Sequence, residues 1–292
     1  MLKEEGLYLV NNAVYPIWQY LTFLGPEGKD ITVKIKIGGT SFTDSTRIEI
    51  AIPEYMVDSD DPKIQKWIKE CLKKLGKEEF TIEEGFIIIE TIGLHELGHI
   101  LYTCFKTFID LQGILATKME KRGIRRDIGT RIAAQLFNCI EDGRIEKRLV
   151  NTYDVRHKFW LKNGTVWQLN DTKPESELQT FLNAVVSIAV TGLYPKYWKT
   201  LEGTEVYDEV KKIRPHILKA IDSPTCKICA RRTEEIYDMV EDFLIKLLEE
   251  DQRKLEDFEE MIQQMSEKPD FFDTEEQESG ENEAIKQQEN KQ

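Results

Sequence analysis

The chain has 292 residues, 40% hydrophobic and 10% aromatic, enough to bury a sizeable core in one large domain or two small ones. Its 32% charged residues and nine prolines exclude a fibrous or wholly disordered protein, and no apolar run approaches the roughly eighteen residues of a membrane span. The net charge of −13 is uneven: residues 233–292 carry 21 Asp/Glu against 6 Lys/Arg, while residues 1–232 are nearly neutral at +2, which argues against nucleic-acid binding. Five scattered cysteines do not make a secreted disulfide framework, and Met1-Leu2-Lys3-Glu4-Glu5 opens no signal peptide, so a reduced, cytoplasmic setting is expected.

In chain order, residues 7–24 predict a helix interrupted near Pro16, followed by the Gly25-Pro26-Glu27-Gly28 turn. Ile31 to Ile37 alternates apolar and polar residues, with Lys34 and Lys36 outward, as a half-buried strand does. Gly38-Gly39 breaks it, and Arg47-Ile48-Glu49-Ile50-Ala51-Ile52 alternates again up to Pro53, so a small antiparallel sheet is expected. Residues 62–75 set Ile64, Trp67, Ile68, Cys71, Leu72 and Leu75 at helical spacing and stop at Gly76. Thr81-Ile82-Glu83-Glu84 has the capping-box pattern and opens a helix that is apolar on most sides. Gly93 and Gly98 weaken its helix propensity, which predicts close approach of a neighbour or of metal ligands.

That helix carries His95-Glu96-Leu97-Gly98-His99, an H-E-x-x-H motif. Residues four apart share a helix face, so His95 and His99 can present two imidazoles to one ion. Glu96 is offset by about one-third of a turn, where its carboxylate can act as a base on water without ligating the metal. With four His in 292 positions, about one shuffled sequence in two hundred would show this pattern, so chance is a poor rival.

Residues 118–131 form a basic stretch with little aromatic interleaving, read as a solvated linker between helices, with a polyanion or partner site as the rival reading. A second long helix runs from about Asp127 to Val150 and contains Asn138-Cys139-Ile140-Glu141-Asp142-Gly143-Arg144-Ile145-Glu146. Further helices are expected over 181–192, 206–221 and 234–265, and residues 266–292 have the composition of a disordered acidic tail.

Two His do not complete a catalytic zinc site, which holds three protein ligands. His157 and His216 stand in no close spacing after His99, so a carboxylate is the expected third ligand. Glu141 is the first choice, with Asp142 and Glu146 as alternatives; Asp142 is also suited to accept a hydrogen bond from a ligating His. The structural alternative pairs Glu141 or Glu146 with Arg144 or Arg148 within the helix. Tyr153 and His157 are candidate donors to an oxyanion, against the plainer readings of a core Tyr and a surface His. Cys226-Lys227-Ile228-Cys229 has the spacing of half a zinc ribbon but lacks a second pair, and Cys71, Cys104 and Cys139 read as small buried residues.

H-E-L-G-H on one helix with N-x-x-E-D-x-R-I-E on a second resembles the zincin-type metallopeptidase domains of bacterial and phage proteins, of the kind found before von Willebrand factor A-like domains and in cobaltochelatase T-subunit-like proteins. Ser41-Phe42-Thr43-Asp44 leading into Ile48 to Pro53 also resembles the strand before the zinc helix of that group, where such a strand commonly pairs with an extended substrate. The resemblance covers residues 30–150 well and the later helices loosely. No D-x-S-x-S motif follows, so the adhesion-type domain is not expected in this chain. The resemblance implies a zinc-dependent (Zn2+) metallopeptidase acting on a protein or peptide, with Glu96 as base and His95, His99 and Glu141 as ligands. It also implies a separate partner, an ATPase of the MoxR type or a von Willebrand factor A-like protein; the alternative function is a catalytically silent, zinc-stabilised scaffold for such a partner. No membrane partner is expected. The expected fold is mainly α with a small antiparallel β-sheet (α+β). It has a zincin-like core over 1–165, a helical region over 166–265 and the tail over 266–292.

Overall fold

The computed structural model describes residues 16–23, 31–37, 41–44, 46–52, 62–79, 81–170 and 176–266, with the isolated positions 25 and 174. Its elements are a short helix α1 (16–23), strands β1 (Thr32–Ile37), β2 (Phe42–Thr43) and β3 (Arg47–Ile52), and helices α2 (Pro62–Leu75), α3 (Ile82–Tyr102) and α4 (Phe105–Lys121). Then come α5 (Arg126–Arg148), α6 (Val155–Asn170), α7 (Glu177–Thr191), α8 (Glu205–Ile221) and α9 (Cys226–Ser266). The described residues up to 249 form one compact unit; those from 250 to 266, all helical, belong to a second. The class is mainly helical with a small sheet. The readings over 7–15 and 267–292 lie outside the described residues.

The sheet is mixed, in the order β1-β3-β2, not antiparallel as expected. β1 pairs with β3 in parallel, Thr32 opposite Arg47 and Ile37 opposite Ile52. The reason is β2, which the alternation did not reveal. Phe42 and Thr43 hairpin onto β3 through a turn in which Asp44 Oδ1 accepts from the backbone N–H groups of Thr46 (2.9 Å) and Arg47 (2.7 Å). That occupies one edge of β3 and leaves β1 to pair with the other. Lys36 reaches Glu49 across the strands at 2.5 Å, while Ile48 and Ile50 point inward and are fully buried.

α3 follows its sequence signals. The Thr81 side chain accepts from the Glu84 N–H at 3.3 Å, half of the capping box. The Glu84 carboxylate does not return to Thr81. It is fully buried and accepts from Trp160 Nε1 (2.6 Å), Arg156 Nη2 (2.5 Å) and Lys77, which ties the start of α3 to α6. Three donors offset the cost of burying this carboxylate.

Apolar packing forms two clusters. One joins α1, the sheet, α2, α3 and the buried face of α6, including Leu21, Ile50, Ile89, Leu94 and Trp160. The other joins α4, α5, α7, α8 and α9, including Phe137, Phe181, Ile213 and Tyr237. α3 and α5 meet where the clusters adjoin, and a glycine permits the approach. A Cβ on Gly98 would lie 2.6 Å from Leu149 Cδ1 and 3.4 Å from Ile145 Cδ1. On another face of α5, a Cβ on Gly143 would lie 2.5 Å from the Ala189 carbonyl oxygen, so α7 packs directly against the α5 backbone.

The basic stretch 118–131 is not a linker. Its ends belong to α4 and α5, and only residues 122–125 connect them. Lys118 pairs with Asp238 (2.6 Å) and Glu234 (2.9 Å), and Arg122 with Asp242 (2.9 Å), so these cations meet the acidic face of α9. Arg126 pairs with Glu120 at 2.7 Å.

Candidate metal centre

His95 and His99 lie one turn apart on α3, with ring centroids 5.2 Å apart and planes at 82°. Opposite them on α5 stands Asp142. Its Oδ1 is 3.2 Å from His99 Nε2 and 3.8 Å from His95 Nε2, and one atom from each of the three residues lies within 4.8 Å of the others. Among the described residues this is the one group of His, Cys, Asp or Glu arranged to hold an ion.

The hydrogen bonds around the rings fix which atoms face inward. His95 Nδ1 is 2.5 Å from Glu146 Oε1, and a carboxylate only accepts, so Nδ1 carries the proton. His99 Nδ1 lies 3.1 Å from Thr103 Oγ1, whose single hydrogen is directed to Glu141 Oε1 at 2.8 Å. The hydroxyl therefore accepts from His99 Nδ1–H. In the neutral rings both Nε2 lone pairs then face Asp142. Asn138 Nδ2 donates to Asp142 Oδ2 at 3.3 Å, while the buried Asp142 Oδ1 accepts no hydrogen bond among the described residues. Glu146 Oε2 is a second buried oxygen without such a partner.

Three lone-pair atoms facing one another are repulsive unless a proton or a cation lies between them. Tetrahedral ligands at ~2.0–2.2 Å from one ion sit ~3.3–3.6 Å apart, close to the two distances from Asp142. The donor set and spacing fit a tetrahedral cation with one position left open. In the protein as described, a proton answers part of the need. Burial lowers the pKa of His95, but the hydrogen bond and charge of Glu146, then Asp142 and Glu96, outweigh it and raise the value to about 10.

Glu96 is buried beside the pair and is not one of the three clustered residues. Burial pushes its carboxyl above the ordinary carboxylate value, against the pull of His95 and His99. It thus retains proton affinity beside the two His side chains.

The carboxylates of α5 take different places from those the motif suggested. Glu141, the first choice as ligand, does not join the His pair. Its Oε2 accepts from Arg144 Nε at 2.7 Å and its Oε1 from Arg144 Nη2 at 2.5 Å, in an ion pair whose side chains are 1% and 2% exposed. A carboxylate so engaged, turned about 100° around the helix from Asp142, is not free to meet His95 and His99. Asp142 is the acid that faces both His side chains instead, and Glu146, one turn on, meets His95. The i,i+4 spacing of Asp142 and Glu146, equal to that of the two His, is the sequence signal for this face.

Tyr153 is buried and donates to Glu146 Oε1 at 3.1 Å; burial, Glu146 and Glu96 hold its hydroxyl well above its usual pKa. His157 is buried, not a surface residue, and faces Glu90 (3.4 Å) and Asp154 (3.2 Å). Cys226 and Cys229 are buried free thiols at the start of α9, and burial raises the pKa of Cys226 to about 12. Cys71 is buried as expected, Cys139 partly so, and Cys104 is exposed. No helix among the described residues is long and apolar enough to cross a membrane. No protein-family model, curated protein or solved structure matches this chain.

Proposed function

We propose that this protein is a zinc-dependent peptidase of the zincin type, with His95, His99 and Asp142 as ligands and Glu96 as general base. The observation that carries the reading is the convergence of both Nε2 atoms on the unpartnered, buried Asp142 Oδ1, with Glu96 beside them. The resemblance of the two helical motifs to zincin-type domains supports it. Bound there, zinc would supply Lewis acidity for a scissile carbonyl and lower the pKa of water to about 7.

The chain's own residues supply the rest. Glu146 and Thr103 hold the two imidazoles in the tautomer that leaves Nε2 free. Asn138 holds one oxygen of Asp142 so that the other faces the pair. Glu96 accepts the proton of the attacking water and returns it to the leaving amine. Its burial keeps solvent from competing for that proton.

One observation favours a second reading. The centre joins α3 to α5 where the two apolar clusters adjoin, so an ion there would also brace the fold. In that case the protein is a zinc-stabilised module for a partner such as an ATPase or a von Willebrand factor A-like protein. Glu96→Gln separates the two. As a peptidase, the variant keeps one equivalent of zinc and loses about 10²- to 10⁴-fold of its cleavage of a quenched-fluorescence peptide library. Cleavage at the wild-type rate would refute the assigned base, and unchanged biological activity without cleavage would favour the module.

A further inference from the structure

We propose that Thr103, backed by the buried Glu141–Arg144 pair, is a positioning residue that fixes the tautomer of His99 and aims its Nε2 lone pair at the metal position. The inference rests on the metal-site reading and deepens it.

A bare carboxylate holds His95 through Glu146, but His99 is held through a neutral hydroxyl, which by itself has no fixed direction. Thr103 Oγ1 could donate to an unprotonated Nδ1 or accept from a protonated one. The first arrangement would put the proton of the neutral ring on Nε2, toward Asp142, where it blocks a ligand bond. Glu141 removes that choice. Its Oε1 lies 2.8 Å from Thr103 Oγ1 and cannot donate, so the Thr103 hydrogen must point to it and His99 must supply the other hydrogen bond. Arg144 orients Glu141 through two hydrogen bonds, and its Nη2 also reaches the Tyr102 carbonyl at 2.6 Å. This ties the pair to the residue next to Thr103.

The backbone reinforces the alignment. Thr103 caps α3, and its N–H donates to the His99 carbonyl at 2.9 Å. The same residue therefore grips His99 by main chain and side chain. Four residues separate them, so hydroxyl and ring share one face of the helix end. An ion pair this deeply buried contributes little net stability over apolar packing. Its placement behind a ligand gives it a use that stability alone does not.

The test is zinc affinity, measured by chelator competition on Thr103→Val and Thr103→Ser, together with the ¹⁵N signature of the neutral His99 ring in metal-free protein. Valine keeps the shape and removes the hydroxyl. It is expected to weaken zinc binding by about 10- to 100-fold and to lose the uniform Nδ1–H tautomer seen in wild type, while serine restores both. Thermal unfolding of the metal-free variants shows that they are folded. If wild type binds zinc and Thr103→Val matches it in affinity and tautomer, or if Thr103→Ser fails to restore them, the inference is overturned and the metal site stands. If wild type binds no zinc at His95 and His99, both fall.

Discussion

Asp142 and Glu141 are adjacent, both acidic and both on α5, yet their removal should have opposite consequences. Glu141→Ala deletes the negative half of an ion pair whose two side chains are almost fully buried, leaving the Arg144 guanidinium with the Tyr102 carbonyl and no counter-charge. Breaking such a pair costs about 3–5 kcal/mol. At ~2–4 °C per kcal/mol for a unit of this size, the metal-free protein should melt ~6–20 °C lower. It should still take up one zinc, more weakly by about 10- to 100-fold, since only the support of His99 is lost. Asp142→Asn removes the charge of a group whose Oδ1 makes no hydrogen bond, so the metal-free protein should change by less than about 1 kcal/mol. Its loss appears when zinc is added. Zinc at a thousand times its dissociation constant stabilises wild type by ~4 kcal/mol, or ~8–16 °C, and Asp142→Asn should forfeit most of that rise. The assay is thermal unfolding with chelator and with zinc, beside metal content by mass spectrometry. A Glu141→Ala protein that loses its metal without losing stability, with Asp142→Asn retaining the zinc response, would refute the assignment of the third ligand.

In the metal-free protein the raised pKa of His95 stabilises the fold fully below its unfolded value of about 6.5, and that contribution is lost as pH rises through about 10. Unfolding midpoints of metal-free protein should therefore fall across this window, and His95→Gln should flatten the profile; an unchanged slope would count against the His95–Glu146 pairing. Because that proton must leave before Nε2 can ligate, zinc binding near pH 8 should release about one proton from this site, measurable by calorimetry in buffers of differing ionisation enthalpy. Gly143→Ala would force a Cβ to within 2.5 Å of the Ala189 backbone and should cost about 1–3 kcal/mol of overpacking, against a helix-propensity gain of about 1 kcal/mol. Gly113→Ala on α4 meets nothing within 4 Å and should instead stabilise by about 0.5–1 kcal/mol in denaturant melts.

The parts of the fold legible in the sequence are those where one physical signal dominates. α2 runs over the predicted residues because its apolar stripe and Gly76 leave no other period, and α3 begins at its Thr81 cap. The alternation in β1 and β3 marked the strands but not their pairing, which depends on a two-residue strand too short to show a period. α4 is less plain in the sequence, because the apolar spacing of Leu111, Leu115 and Met119 runs into the charges of 118–131. The two His were legible because α3 presents them on one face. The place of Asp142 was not, because Ile140, Glu141, Gly143, Arg144, Ile145 and Glu146 around it are all buried, so this part of α5 shows no polar-apolar contrast from which to tell which acid faces α3. Only the repeat of the four-residue spacing in Asp142 and Glu146 carried that information.

Zinc-edge anomalous diffraction from crystals of the zinc-loaded protein would locate the ion itself. One peak is expected, ~2.0–2.2 Å from His95 Nε2, His99 Nε2 and an Asp142 carboxylate oxygen, with Glu96 outside bonding distance and Glu141 still paired with Arg144. A peak bound by Glu141 in place of Asp142, or by the Nδ1 atoms, or no peak between α3 and α5 at all, would contradict that ligand set.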